Sequence, residues 1–209
     1  MNRWIEKYMS DYSSPEDPLL EDLYRQTHIR FVNPNMSTGH LQGKLLGFLS
    51  VMIKPSLILE IGTFTGYSAI CLAKGLKPGG RLYTVEKNDE LKEFAGSYFK
   101  KAGLEESIIQ LTGRAQDLVP PLDLKFDLVY IDGDKREYKE YYNIIIRKTR
   151  PGSFILADNI LWGEKVLEKH SKDPQTRGII EFNDMVRDQA GIETVILPVR
   201  DGLMMIRVI

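Results

Sequence analysis

From Leu57 onward the chain alternates between short apolar runs and longer segments whose apolar residues recur every three or four positions. The runs Leu57 to Ile61, Arg81 to Val85, Ser107 to Leu111, Phe126 to Ile131 and Ser153 to Ala157 are predicted as strands. Those around Leu128 and Leu156 are apolar at consecutive positions, the pattern of strands covered on both faces in a parallel sheet. Between the strands, Tyr67 to Lys74, Asp89 to Lys101 and Arg136 to Thr149 are predicted as helices, with a short loop and helix after Leu111. This alternation predicts an α/β fold with a doubly wound, mostly parallel sheet. The C-terminus departs from it. Glu193 to Pro198 and Leu203 to Val208 flank Asp201-Gly202, a turn signal that predicts an antiparallel hairpin, preceded by a helix over Pro174 to Gln189.

Upstream of the sheet, Ser14-Pro15-Glu16-Asp17 reads as a capped helix start, followed by Leu19, Leu20, Leu23, Tyr24 and Phe31 at helical spacing. A second helix is predicted from Thr38, with Leu41, Leu45, Phe48, Leu49 and Met52 on one face, until Lys54-Pro55 breaks it. No repeat or long linker interrupts the chain, so residues 1–209 are expected to form one domain. Its 209 residues with 43% hydrophobic content suffice for one core. A net charge of -1 and a pI near 6.3 argue against nucleic acid as an obligatory partner. No stretch reaches the roughly 18 apolar residues of a membrane span, and the N-terminus has no apolar signal core, so a cytoplasmic location is expected. Cys71, the single cysteine, lies in an apolar helical pattern and reads as a small buried hydrophobe.

The chemistry sits where the apolar runs stop. Phe126-Asp127-Leu128-Val129-Tyr130-Ile131 ends in Asp132-Gly133-Asp134-Lys135, and Phe154-Ile155-Leu156-Ala157 ends in Asp158-Asn159. Strands of an open α/β sheet deliver such residues to the carboxyl edge, where ligands bind. Asp132, Asp158 and Asn159 together offer hard oxygen donors suited to magnesium, manganese or calcium rather than zinc. Lys135 stands three residues beyond Asp132, and a lysine beside a divalent cation is equipped to deprotonate a hydroxyl. Read alone, Lys135 is more often a solvated lysine, and Asp134 more often a helix cap. The turn Glu60-Ile61-Gly62-Thr63-Phe64-Thr65-Gly66-Tyr67-Ser68 lets backbone approach a ligand closely but lacks the three-glycine dinucleotide fingerprint. Glu60 suits a ligand bearing positive charge, such as a methionyl amino group. Glu86 ends the second strand, where an acid commonly accepts hydrogen bonds from ribose hydroxyls. His28, His40 and His170 are isolated and read as surface residues.

Taken in order, Met36-Ser37-Thr38-Gly39 with Gln42-Gly43, the Glu60 to Ser68 turn, Glu86, Gly113-Arg114-Ala115, Asp132-Gly133-Asp134-Lys135, Asp158-Asn159 with Trp162, Phe182-Asn183 and Asp201-Gly202 form a specific set. In these residues the chain resembles the cation-dependent class I S-adenosylmethionine O-methyltransferases, the group of catechol and caffeoyl-CoA O-methyltransferases and their small bacterial relatives. The resemblance implies a Rossmann-like, seven-stranded methyltransferase fold with a C-terminal antiparallel hairpin. It also implies that residues 1–54 form helices packed on the sheet and covering the site.

By that resemblance Asp132, Asp158 and Asn159 bind the divalent cation, most often magnesium, and Lys135 and Asp132 serve the reacting hydroxyl. S-adenosylmethionine is expected against Glu60, Gly62, Thr63 and Ser68 at the methionyl part, Glu86 at the ribose and Ala115 at the adenine. Met36 and Thr38 are expected as the lid, with Asp132 and Asp134 facing the cofactor from the next strand end. Trp162 is expected either in the substrate wall or in the core, and Lys135 beside the substrate. The implied activity is methylation of a hydroxyl of a catechol-like small molecule. The alternative is methylation of a 5-hydroxyuridine in tRNA at the same metal site, with Arg114, Lys165, Lys172 and Arg177 as phosphate contacts. A homodimer is implied, with the N-terminal helices near the contact.

Overall fold

The computed structural model describes residues 3–168 and 170–209. Seven strands form one sheet: β1 (Leu57–Ile61), β2 (Arg81–Glu86), β3 (Ile108–Thr112), β4 (Leu128–Ile131), β5 (Phe154–Asp158), β6 (Ile192–Leu197) and β7 (Leu203–Val208). Their order is β3-β2-β1-β4-β5-β7-β6, with β1 to β5 parallel and β7 antiparallel to both β5 and β6. The expected doubly wound sheet and C-terminal hairpin are therefore both present. The direction of winding reverses between β1 and β4, and the crevice at that switch point lies above the ends of both strands.

Alternate residues of each strand feed opposite faces of the sheet. Ile58, Leu82, Ile108, Leu128, Tyr130 and Leu156 pack against α2 (Pro18–Arg30), α3 (His40–Ile53), α4 (Tyr67–Ala73) and α5 (Lys92–Lys101). Leu59, Ile61, Val85, Val129, Ile131, Ile155 and Ala157 pack against α6 (Ala115–Leu118), α7 (Tyr138–Ile145) and α8 (Pro174–Arg187). A further short helix, α1 (Arg3–Asp11), lies against α3. None of the described helices is long and apolar enough to cross a membrane.

Three element ends differ from the sequence reading. Helix α2 begins at Pro18 rather than Pro15, because the Asp17 carboxylate accepts a hydrogen bond from Leu19 N at 3.0 Å and Pro18 then occupies the first helical position. The segment after Asp134 is a 3-10 turn, then α7, then another 3-10 turn. The 3-10 turn at Lys135–Glu137 brings Lys135 inward, where only 6% of its surface is exposed. Helix α3 starts at His40, two residues later than expected.

One backbone contact joins the two halves of the crevice. Gly62 has φ +105, and a Cβ there would lie 2.3 Å from the Asp132 carbonyl oxygen. Glycine is required by both conformation and space. Gly62→Ala is expected to destabilise the protein by about 3 kcal/mol, read by urea denaturation, since strain and displacement of the β4 end add. Unchanged stability would mean that this contact is loose.

Candidate active site

The end of β5 carries the most demanding group of the site. Asp158 is 2% exposed. Its Oδ2 accepts from Gln42 Nε2 at 2.6 Å and from Tyr130 OH at 2.8 Å, and its Oδ1 accepts from Asn159 N at 2.8 Å. Three donors offset much of the desolvation of a buried carboxylate. On the neighbouring strand end, Asp132 Oδ1 accepts from Lys135 Nζ at 2.7 Å, and the same Nζ donates to Tyr138 OH at 2.7 Å. Tyr138 OH in turn donates to the Asp158 carbonyl at 2.9 Å. The register pairing Ile131 with Ala157 puts Asp132 and Asp158 side by side.

Burial is the largest influence on Asp132 and lifts its carboxyl to about 6; Lys135 pulls it down and the like charge of Asp158 pushes it up. Burial likewise raises Tyr130 and Tyr138 well above the usual phenol value. Two neighbouring carboxylates with a single lysine, on Asp132, favour a further positive charge. Asn159 follows in a left-handed conformation, φ 56, at the same strand end. Among the described residues no three histidine, cysteine, aspartate or glutamate side chains cluster as a metal site. Oxygen-only donors of this kind fit a hard divalent cation.

The other half of the crevice is the turn after β1. Glu60 is fully buried, and its two oxygens accept from Ser68 Oγ and Thr84 Oγ1, each at 2.6 Å. Thr63 and Thr84 hydroxyls are hydrogen-bonded to each other. Glu86 accepts from Phe64 N at 2.9 Å and from Asn88 N at 3.0 Å, so it shapes the turn while leaving lone pairs for a hydroxyl. A narrow cleft lined by Thr63, Phe64, Glu86, Asn88, Leu111 and Thr112 opens there. Ala115 is buried at the start of α6, reached directly after Gly113 and Arg114. In the segment Pro34 to Gly39, Thr38 is buried, Met36 is exposed, and the buried Ser37 hydroxyl has no hydrogen-bond partner among the described residues. A glycine-opened turn and an acid at the end of β2 beside a narrow cleft fit an adenosyl ligand.

The remaining sequence candidates divide. Asp134 caps the 3-10 turn by accepting from Arg136 N at 3.1 Å, and it pairs with Arg136 and Lys87; the Arg136 guanidinium holds its carboxyl down at about 2. Trp162, with φ 49, packs partly buried against the core of the α8 face. Of the cations considered for phosphate contact, Arg114 lies 3.4 Å from Glu137 and Arg177 3.8 Å from Glu181. Gln42, Tyr130, Tyr138 and Arg200 belong to the site and were not assigned to it from the sequence. Tyr130 was within reach of a period-two argument, standing two residues before Asp132 on β4; the others depend on long-range packing.

A sheet wound β3-β2-β1-β4-β5 with an antiparallel β7-β6 edge, and a glycine turn beside paired acids at its switch point, define an α/β methyltransferase fold. The model of the O-methyltransferase family matches residues 10–209. The chain is 34% identical over 198 residues to a catechol O-methyltransferase of Niastella koreensis, covering 92% of this chain and 89% of the relative. It is 30% identical over 179 residues to a caffeoyl-CoA O-methyltransferase of Stellaria longipes, covering 80% and 74%. Among solved structures, the O-methyltransferase TomG of Streptomyces achromogenes, in complex with SAM, superposes with a TM-score of 0.92 at 32% identity over 98% of this chain and 96% of that one. An O-methyltransferase from Bacillus cereus in complex with SAH gives 0.89 at 30% identity over 99% and 97%. The chain belongs to the O-methyltransferase family, as an S-adenosylmethionine-dependent O-methyltransferase.

Burial raises the Glu60 carboxyl from its usual value of 4.5 to about 8, against the Ser68 and Thr84 hydrogen bonds that lower it. The folded protein therefore binds this proton more tightly than the unfolded chain does. Its contribution to stability is fully present below the unfolded value and is lost as pH rises toward 8. Between those limits the loss is on the order of 1 kcal/mol per pH unit. Urea denaturation at pH 5, 6.5 and 8 is expected to show this fall in the wild type and its absence in Glu60→Gln; parallel pH profiles would contradict the assignment.

Proposed function

We propose that the chain methylates one hydroxyl of a catechol-like, vicinal dihydroxy aromatic, using a divalent cation held by Asp132, Asp158 and Asn159. The observation that carries this reading is the pair of acids at adjacent strand ends with the buried amine of Lys135 2.7 Å from Asp132 Oδ1. The names of the catechol and caffeoyl-CoA relatives point to the same acceptor chemistry.

S-adenosylmethionine, when bound, supplies an electrophilic sulfonium methyl. The Gly62 to Ser68 turn would take its methionyl part, with Glu60 fixing the turn from behind through Ser68, and Glu86 and Ala115 would take ribose and adenine. Met36 and Thr38 would cover it, and Asp132 and Asp134 would flank it from the end of β4. A dication at Asp132, Asp158 and Asn159 would lower the acceptor hydroxyl's pKa. Lys135 Nζ, as the neutral amine, takes the hydroxyl proton and becomes the ammonium, while Tyr138 OH holds the nitrogen in place. Trp162 would wall the aromatic ring. Little covalent work falls to the protein, so most of the rate comes from orienting the oxygen toward the methyl carbon and from preorganised charge.

The test is S-adenosylhomocysteine formation from 3,4-dihydroxybenzoate with magnesium and with excess EDTA. EDTA is expected to abolish turnover, and Asp158→Ala or Lys135→Ala to lower kcat by about 10²- to 10⁴-fold. Full turnover in EDTA would overturn the metal assignment; turnover unchanged in Lys135→Ala would remove the base.

We also propose that the chain is a homodimer joined through its N-terminal helices. Helix α1 leaves Trp4, Ile5 and Tyr8 exposed, and α3, against which it packs, leaves Phe48, Val51 and Met52 exposed. Such a contiguous apolar surface is uncommon on a monomer. Light scattering at micromolar concentration is expected to give twice the 23.9 kDa chain mass, and a monomeric mass would overturn the proposal.

A further inference from the structure

We propose that Arg200 is a positioning residue of this site: its guanidinium latches residues 35–38 to the turn between β6 and β7 and, through the Gln42 amide, orients the Asp158 carboxylate. The inference rests on the reading of Asp158 as a site carboxylate.

Arg200 lies in the turn from Pro198 to Gly202, in a left-handed conformation with φ 48. The turn is held on one side by the segment that follows Asp158-Asn159. Asp201 Oδ1 accepts from Gly163 N at 2.6 Å, Asp201 O from Leu161 N at 3.0 Å, and Gly202 O from Ile160 N at 3.2 Å. From this anchored base the Arg200 side chain reaches the opposite way, to residues 35–38. Nη1 donates to Ser37 O at 3.1 Å, to Thr38 O, and to Gln42 Oε1 at 3.1 Å, while Nη2 donates to Asn35 O at 3.4 Å. All four acceptors are neutral, so the guanidinium is used as a multidentate clamp.

The Gln42 contact carries the effect into the site. Gln42 is 1% exposed, and its amide has an accepting end and a donating end. A charged donor on Oε1 sets which end faces Asp158, directing Nε2 to Oδ2 at 2.6 Å and polarising that N–H. Without Arg200 the amide loses its partner on one side, and two of the residues proposed to cover the cofactor, Met36 and Thr38, lose their tie to the sheet domain. The Arg200 turn thus grips both the 160–163 segment and the 35–38 segment.

The experiment compares wild type, Arg200→Ala, Arg200→Lys and, as a control on the same hairpin, Arg207→Ala, whose side chain pairs with Glu193 at the surface. Amide hydrogen exchange of the peptide spanning residues 33–43 is measured on the full chain without ligand, beside S-adenosylhomocysteine affinity and turnover of 3,4-dihydroxybenzoate. Arg200→Ala is expected to speed exchange in that peptide by about 10-fold and to lower kcat by about 10-fold, the scale of losing charge-assisted hydrogen bonds. Cofactor affinity falls with it, while the thermal midpoint moves little because Arg200 is exposed. Arg200→Lys restores part of both, since one ammonium reaches fewer of the acceptors, and Arg207→Ala matches wild type. Wild-type exchange and kcat in Arg200→Ala would overturn the latch. A wild type that forms no product from the catechol would count against the proposed acceptor alone, because the exchange measurement still decides the latch. Should Arg200→Ala yield no folded protein, faster exchange in Arg200→Lys is the required result, and its absence overturns the proposal.

Discussion

A carboxylate buried to 2% exposure at the end of a central strand is the constraint around which the molecule is arranged. Leaving Asp158 without donors would cost several kcal/mol, and its compensation comes from three separate places: Gln42 on α3, Tyr130 on β4, and the backbone of Asn159. The docking of α3 on the sheet is therefore tied to the chemistry, and the helices before β1 are more than a cover. Only one of the three bonds falls on Oδ1 of Asp158, while Asp132 Oδ2 has no hydrogen bond among the described residues.

The cofactor half obeys a different economy. Glu60 is also buried, but its partners are the hydroxyls of Ser68 and Thr84, which are compatible with a neutral carboxyl. Burial outweighs those bonds and holds the proton on. Glu60 thus braces the turn from within, and Glu86, pinned by Phe64 N and Asn88 N, braces it from the end of β2. The two halves meet where Gly62 touches the Asp132 carbonyl, so a shift in the turn is felt directly by the acid that holds Lys135.

The parallel character of the first five strands and the antiparallel hairpin were legible in the apolar runs and in Asp201-Gly202, because strand burial and turn chemistry are local properties. So were the acids at strand ends, since a strand of known direction carries its last residues to a known edge. Element starts were legible less well. Pro15 and Pro18 both suit a helix start, and only the hydrogen bond from Leu19 N to Asp17 selects the second.

The sequence by itself determined the sheet, its carboxyl edge and the residue types gathered there, because periodicity and turn composition act over a few residues. Tertiary structure alone decided which of those residues meet. Lys135, which on its own reads as solvated, is buried because a 3-10 turn points it at Asp132 and Tyr138. Asp134, expected by resemblance at the cofactor, also caps the 3-10 turn and pairs with Arg136. Gln42, 116 residues before Asp158, and Arg200, 158 residues after Gln42, meet only when the N-terminal helices and the last hairpin close on the same strand ends. No local pattern encodes such a meeting, because the free energy that enforces it comes from packing both cores at once.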